Sequence, residues 1–96
     1  MYDMKDIQPY QLPDLPALSG AELGATFRAN RKALGRSQQW MADKVGSRRQ
    51  TIVELERGGN VGIHTLMACL LVLGKGLIIV DARPDLDRVK EIFNED

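Results

Sequence analysis

Four consecutive stretches of the chain place apolar residues at spacings of three and four, which is the period of an amphipathic helix. In the first stretch, one face is formed by Leu23, Phe27, Asn30/Arg31 and Leu34. Ser19 lies three residues before Glu22, the spacing of a capping box that opens a helix. The pattern therefore predicts a first helix over residues 20–34, followed by a glycine that stops it.

Glycine and serine positions divide the rest of this pattern into three further helices. Ser37 can cap the second helix, and Gly46 can adopt the left-handed conformation of a tight turn after it. The predicted bounds are residues 38–45 for the second helix, 48 or 49 to 56 for the third, and 63–73 for the fourth. The inner face of the fourth helix is formed by Leu66, Cys69, Leu70 and Leu73.

Residues 77–80 form a short apolar run, rich in β-branched side chains and bounded by Gly76 and Asp81, which predicts a strand. A single strand cannot pair its own backbone groups, and no second strand-like run exists elsewhere in the chain. The pattern therefore favours antiparallel pairing with the same segment of a second copy. The residues predicted to form this dimer contact are Leu77, Ile78, Ile79 and Val80. Continuation of the fourth helix and an irregular tail stay open as alternatives.

The two ends of the chain differ from the helical part. Residues 1–18 contain three of the four prolines, each of which disfavours helix at the residue before it, and are predicted to be a flexible arm. Residues 19–74 hold the four predicted helices and form the main domain. Residues 75–96 are assigned to the dimerisation strand and a C-terminal tail, in which residues 85–93 form a short amphipathic piece.

Several function classes are excluded by what the sequence lacks. No apolar run approaches the roughly 20 residues of a membrane-spanning helix, and the N-terminus lacks the order of a secretory signal, so we expect a cytoplasmic protein. Cys69 is the single cysteine and His64 the single histidine, which cannot build a zinc site. No strained nucleophile turn or oxyanion loop accompanies Ser37. We expect no enzyme, no metal and no cofactor.

Positive charge is concentrated in the middle of a chain whose formal net charge is zero. Residues 28–57 carry eight cations and three carboxylates, so the flanking segments are acidic. The eight cations are Arg28, Arg31, Lys32, Arg36, Lys44, Arg48, Arg49 and Arg57. This distribution predicts one basic face on a neutral body, as binding to nucleic-acid phosphates requires, although a solvated run of charges would look similar.

The second and third predicted helices have the properties of a pair that crosses closely. Ala42 is small where the helices must approach, and Gly46 permits the turn between them. The apolar contacts between the two helices come from Val45, Ile52 and Leu55. The positions left outward on the third helix are Arg49, Gln50, Val53 and Glu54. A short helix with arginine and glutamine near its N-terminus suits the major groove of DNA.

A set of spaced positions runs through this stretch: Ser37-Gln38, Met41-Ala42, Val45-Gly46, Ile52 and Leu55-Glu56-Arg57-Gly58. In these positions the chain resembles the Cro/CI (Xre) family of helix-turn-helix transcriptional regulators. The segments 63–66 and 73–74 also fit the family's fourth helix, and the resemblance covers roughly residues 23–74. It implies a mainly α, lambda-repressor-like bundle of four to five helices, with a strand that pairs across the dimer.

The resemblance also implies roles for individual residues in binding double-stranded DNA. Gln38 would touch a phosphate and brace the third helix, which is the recognition helix of the family. Arg49, Gln50 and Glu54 would face base edges, and Val53 would meet a thymine methyl group. Arg48 and Thr51 would border the sugar-phosphate backbone, and Arg57 is a further DNA-binding position. Glu54 departs from the commoner amide or hydroxyl of the family, so an ion pair with Arg49 or Arg57 stays open for it.

Residues 77–83 are similar to the strand of HipB-type antitoxins, which ends in Asp-Ala and a basic residue. That resemblance implies a homodimeric repressor of its own operon, bound to a palindromic operator and to a HipA-type kinase toxin. Two alternatives stay open. One is a stand-alone phage or chromosomal repressor of the same family, and the other is a protein-interaction module that has lost DNA binding.

Trp40 lies at a position of the second helix that is usually polar in the family, so the resemblance implies an exposed side chain. Three roles stay open for it: packing under the N-terminal arm, contact with a sugar-phosphate group, and binding of a partner protein.

Overall fold

The computed structural model describes residues 15–82, which form four α-helices and no strand. The helix bounds are Gly20–Ala33 (α1), Gln38–Val45 (α2), Arg49–Arg57 (α3) and Ile63–Val72 (α4). Helix α3 packs against both α1 and α2, and α2 also packs against α4. The predicted helices are confirmed, with every bound within one residue of its expected position.

Local side-chain contacts explain where the first two helices begin. The Ser19 hydroxyl accepts a hydrogen bond from the Glu22 amide at 3.1 Å, and the Glu22 carboxylate accepts one from the Leu18 amide at 2.8 Å. At the start of α2, the Ser37 hydroxyl accepts from the Trp40 amide at 3.0 Å. Gly46 ends α2 in the left-handed conformation with φ of 68°. The predicted caps and turn are therefore confirmed.

The core lies between the four helices and is mainly aliphatic. Its members are Phe27, Met41, Ala42, Ile52, Leu55, Cys69, Leu70 and Leu73. Leu66 is only half-buried at its edge. Burial raises the pKa of the Cys69 thiol above its ordinary value, and the negative charge of Glu56 acts in the same direction. The thiol is therefore held in its neutral form.

The expectation that Leu34 belongs to the inner face of α1 is wrong. The helix ends one residue earlier, and Leu34 is its C-cap, with 54% of its surface exposed. Gly35 follows in the left-handed conformation, with φ of 69°, which ends the helical path of the backbone. The last inward position on α1 is instead Arg31, which is only 5% exposed.

Helices α1 and α3 approach each other closely at Gly24. A Cβ atom at this position would lie 2.7 Å from the carbonyl oxygen of Glu56, closer than real Cβ contacts allow. Gly24 is buried, although glycine is a poor helix former. Its place inside α1 is therefore explained by the contact between two backbones, which the apolar pattern did not indicate.

The predicted strand does not form within the described residues. Leu77, Ile78, Ile79 and Val80 have no regular secondary structure and are 50%, 83%, 99% and 48% exposed. A strand needs a partner, and no other segment between residues 15 and 82 is extended against this one. The pairing between two copies stays a prediction.

Two predicted segments lie wholly or mostly outside the described residues. These are the N-terminal arm, of which only residues 15–18 are described, and the amphipathic piece at 85–93. Residues 15–18 have no helix or strand, and Leu15 is 94% exposed. None of the helices between residues 15 and 82 is both long and apolar enough to cross a membrane.

A buried ion pair connects α1 to α3. The Arg31 guanidinium donates two hydrogen bonds to Glu56, from Nε to Oε2 at 2.6 Å and from Nη2 to Oε1 at 2.9 Å. A further nitrogen of the same group, Nη1, donates to the backbone carbonyl of Arg36. The two side chains are only 6% and 3% exposed. This fork-to-fork geometry is the arrangement in which a buried charge pair is tolerated.

The pair shifts the pKa of both partners in the direction that keeps them charged. The hydrogen bond with Glu56 raises the pKa of Arg31 above its ordinary value. Burial alone would raise the pKa of the Glu56 carboxyl, but hydrogen bonds from Arg31 and Gln38 and the charges of Arg31 and Arg28 outweigh it. The pKa of Glu56 is therefore lowered.

Replacing Glu56 with glutamine should lower the free energy of unfolding by about 3 kcal/mol near neutral pH, because Arg31 is left as a buried charge without a counterion. Since the folded-state pKa of Glu56 lies below its ordinary value of 4.5, its contribution is fully present above pH 4.5 and is lost as the pH falls through the lower pKa. The stability gap between wild type and Glu56→Gln should therefore narrow in acid. Urea unfolding followed by circular dichroism across this pH range measures the gap.

Glu54→Gln is the matched control, since its carboxylate is on the same helix and 41% exposed. We expect it to change the free energy of unfolding by less than about 1 kcal/mol. A gap for Glu56→Gln that stays constant between neutral and acidic pH would contradict the assigned role of the ion pair.

Candidate nucleic-acid interface

Helices α2 and α3 form the crossed pair that the sequence predicts. Met41 and Ala42 of α2 and Ile52 and Leu55 of α3 are buried together in the core. The turn between the helices is closed by a hydrogen bond from the Ser47 amide to the Ala42 carbonyl at 2.9 Å. One side of α3 is therefore anchored, and its opposite side is directed away from the core.

The predicted DNA-binding residues lie on the outward side of this pair, and none of them is buried. Those exposed to solvent are Arg48, Arg49, Gln50 and Arg57. Those half-buried are Gln38, Thr51, Val53 and Glu54. Arg48 is the N-cap of α3 and makes no side-chain capping hydrogen bond. Among these residues, Gln38 contacts Arg49, and Glu54 contacts Gln50 and Arg57. Their contacts with DNA stay predictions.

Gln38 connects the buried ion pair to this surface. Its Nε2 donates to Oε1 of Glu56 at 3.1 Å, and its Oε1 accepts from Nε of Arg49 at 3.4 Å. The carboxylate of Glu56 can only accept hydrogen bonds, so the amide nitrogen of Gln38 must face it and the oxygen must face Arg49. Both polar atoms of the Gln38 amide therefore contact α3, one at Arg49 near the start of the helix and one at Glu56 near its end. This is the arrangement expected of a residue that braces α3.

The Arg31–Glu56 pair was not identified as part of the site from the sequence. Its partners are 25 positions apart, and no local pattern relates them. One signal was present, since Arg31 occupies a position of the apolar stripe of α1 where a charged residue needs a partner. Glu56 was noted only as part of the family pattern that ends the recognition helix.

The sequence left open an ion pair of Glu54 with Arg49 or with Arg57, and the structure shows the one with Arg57. Oε1 of Glu54 lies 3.5 Å from Nη1 of Arg57 and accepts a hydrogen bond from Nε2 of Gln50 at 3.2 Å. No ion pair with Arg49 forms among the described residues. The carboxylate is thus held between two predicted DNA-binding side chains.

Trp40 is half-buried and packs against the core, so the expectation of an exposed side chain is wrong. Two cations lie against its ring, Arg36 at 4.8 Å and Lys44 at 5.5 Å from the centroid. These distances are within the range of cation–π attraction. Most of the N-terminal arm is outside the described residues, so packing of that arm on Trp40 stays a prediction.

Comparison with known proteins agrees with this geometry. The family model described as Helix-turn-helix (HTH_3) matches residues 27–80, more than half of the chain. A solved structure titled "MDT Protein" superposes with a TM-score of 0.67 at 24% identity, covering 73% of this chain and 100% of that one. A HipB variant in an O2 20mer complex gives the same TM-score and identity, covering 73% and 99% of the two chains.

No curated protein matches the chain. At 24% identity, the two solved structures show that the fold is shared. The family match covers the whole α2–α3 unit, including the buried contacts and the outward positions described above. The chain belongs to the Xre/Cro-type helix-turn-helix family of DNA-binding proteins.

Proposed function

We propose that the protein is a sequence-specific transcriptional repressor that binds a palindromic operator in double-stranded DNA as a homodimer. The observation that carries this proposal is the presentation of Arg48, Arg49 and Gln50 on the outward side of α3, whose other side is anchored in the core. Arginine and glutamine pair with guanine and adenine edges in the major groove. A repressor of this kind acts in the cytoplasm and requires no cofactor.

The charge state of this surface supports DNA as the partner. Within residues 15–82, neither Arg48 nor Arg49 forms an ion pair, so both cations are available to a phosphate or a base. By contrast, the only buried carboxylate among residues 15–82, that of Glu56, is neutralised by Arg31 inside the protein. The surface therefore keeps its positive charge even though the whole chain has no formal net charge.

Exposed apolar side chains support the homodimer. The segment Leu77, Ile78, Ile79 and Val80 is largely exposed, and α4 adds a stripe of Ile63, Met67 and Leu71 at 67%, 43% and 76%. Apolar side chains concentrated in this way are typical of an interaction site. Pairing of two such segments would place two recognition helices in successive major grooves, about 34 Å apart.

We propose further that the protein is the antitoxin of a HipA-kinase-type toxin–antitoxin system and represses its own operon. The support is the similarity of residues 77–83 to the HipB-type strand and the shared fold with the HipB variant of the solved complex. A stand-alone repressor has the same DNA-binding surface and differs only in having no toxin partner.

Arg49→Ala should weaken binding to the promoter upstream of the protein's own gene by about 1–3 kcal/mol, because a side chain paired with a base edge is lost. Fluorescence anisotropy with labelled promoter duplexes at several salt concentrations measures the affinity. Lys75→Ala is the control, since Lys75 is an exposed cation beyond α4. Equal losses for the two variants would contradict base contact by Arg49, and affinity without salt dependence would favour the protein-interaction module.

Ile79→Asp should convert the dimer to a monomer, because it puts a charge into the centre of the proposed ribbon, where the wild-type side chain is 99% exposed in the single chain. The helices of the monomeric variant should still unfold cooperatively, because the Ile79 side chain does not pack on them in the single chain. Sedimentation equilibrium measures the mass. Leu34→Asp, at an exposed apolar residue outside the ribbon, is expected to remain dimeric; a monomeric wild type would refute the dimer.

Purification of the protein from its native operon should recover a kinase-like protein in a stable complex with it, because an antitoxin must bind the toxin that it neutralises. Mass spectrometry of the co-eluting chains, with and without nuclease treatment, identifies the partner and removes links through DNA. Ile79→Asp purified in parallel shows whether the partner requires the dimer. Recovery of the DNA-binding protein alone would support the stand-alone repressor instead.

A further inference from the structure

The outward side of α3 carries a glutamine whose amide is held by a neighbouring carboxylate. Nε2 of Gln50 donates to Oε1 of Glu54 at 3.2 Å, one helical turn further on. Arg57 approaches the same oxygen at 3.5 Å. The pair lies on the surface that we propose to contact DNA, and Gln50 is the more exposed of the two.

The Glu54 side chain lies against the turn that follows α3. A Cβ atom at Gly59 would lie 2.5 Å from Oε2 of Glu54, so a larger residue there would displace the end of this side chain. The Gly59 amide also donates to the backbone carbonyl of Glu54 at 2.7 Å. The Glu54 carboxylate thus has this turn, Arg57 and Gln50 as its neighbours.

The chemistry of the carboxylate determines which end of the amide faces it. An ionised carboxylate can only accept hydrogen bonds, whereas a carboxamide has a donating and an accepting end. The nitrogen of Gln50 must therefore face Glu54, and its oxygen must face away. One N–H is used in this contact, which leaves the oxygen and the second N–H for a ligand.

We infer that Glu54 is a positioning residue for base selection: it orients the Gln50 amide so that its oxygen meets the major groove. An amide oxygen accepts from base edges that donate there, namely adenine N6 and cytosine N4, and it is repelled by guanine O6 and thymine O4. The oxygen together with the second N–H matches adenine N6 and N7. The inference rests on the proposed function and assigns Glu54 an indirect role instead of a base contact of its own.

The test uses a pool of DNA duplexes with a randomised 20-base-pair segment, enriched on wild-type protein and on three variants. Gln50→Ala identifies the base pair that Gln50 contacts. At that base pair, we expect the wild type to prefer adenine or cytosine about tenfold over guanine and thymine on the contacted strand. In Glu54→Gln this preference should fall to about threefold or less, because a glutamine partner can donate as well as accept and lets the Gln50 amide turn over.

Asp43→Asn is the matched control. Gln39 donates from Nε2 to Oδ1 of Asp43 at 2.9 Å on α2, which is the same glutamine–carboxylate pair at the same spacing. Both variants remove one negative charge, so both can raise the affinity for every sequence. Only Glu54→Gln should change the base preference, and only at the base pair located with Gln50→Ala.

The amide signals of the free protein give a second readout that does not depend on DNA. In a heteronuclear NMR spectrum, the side-chain N–H signals of Gln50 should shift in Glu54→Gln and stay in place in Asp43→Asn. For Glu54→Gln, an unchanged base preference at the base pair that Gln50 contacts, or a changed preference at another base pair, would overturn the role of Glu54. Failure of the wild type to enrich any sequence would overturn the repressor proposal together with this one. Enrichment by the wild type with the same base preference in Glu54→Gln would overturn only the role of Glu54, so the two failures are distinguishable.

Discussion

The relative position of three helices depends on the ion pair between Arg31 and Glu56. Each of these side chains would be strongly unfavourable alone in the interior, and together they are tolerated because two short hydrogen bonds join the two charged groups. The Arg36 carbonyl uses a further N–H of Arg31, and Gln38 uses a lone pair of Glu56. A change in the crossing of α1, α2 or α3 would therefore break charge-assisted hydrogen bonds away from water.

Two glutamine side chains are oriented in the same way, because a carboxylate can accept hydrogen bonds but cannot donate them. Glu56 orients Gln38, which in turn accepts from Arg49, and Glu54 lies against Gln50. The first contact begins in the protein interior and the second lies wholly at the surface. Interior packing thus sets where α3 lies, and surface hydrogen bonds set which atoms its side chains present.

The helices could be predicted from the sequence because their signals are local. Ser19, Ser37 and Gly46 each act within a few residues, and the structure has the caps and the turn at these positions. The outward positions of α3 followed from the same periodicity, because the inner face was already assigned to the core.

The errors and omissions arose where the deciding contact is distant along the chain. Arg31 and Glu56 are 25 positions apart in the sequence. The close approach of Gly24 to the backbone of α3 does not appear in the periodic pattern of apolar residues. Leu34 has the spacing of a core residue, yet the helix ends before it. A strand at residues 77–80 needs a partner that the described part of one chain does not contain.

Burial of the single cysteine has a consequence for the chemistry of the whole domain. The reactive form of cysteine is the thiolate, and the Cys69 thiol is fully enclosed with a raised pKa. Thiol-specific reagents therefore find no accessible thiolate while the helices are folded. Modification requires an opening of α4, so the rate of thiol labelling reports how often the native core opens.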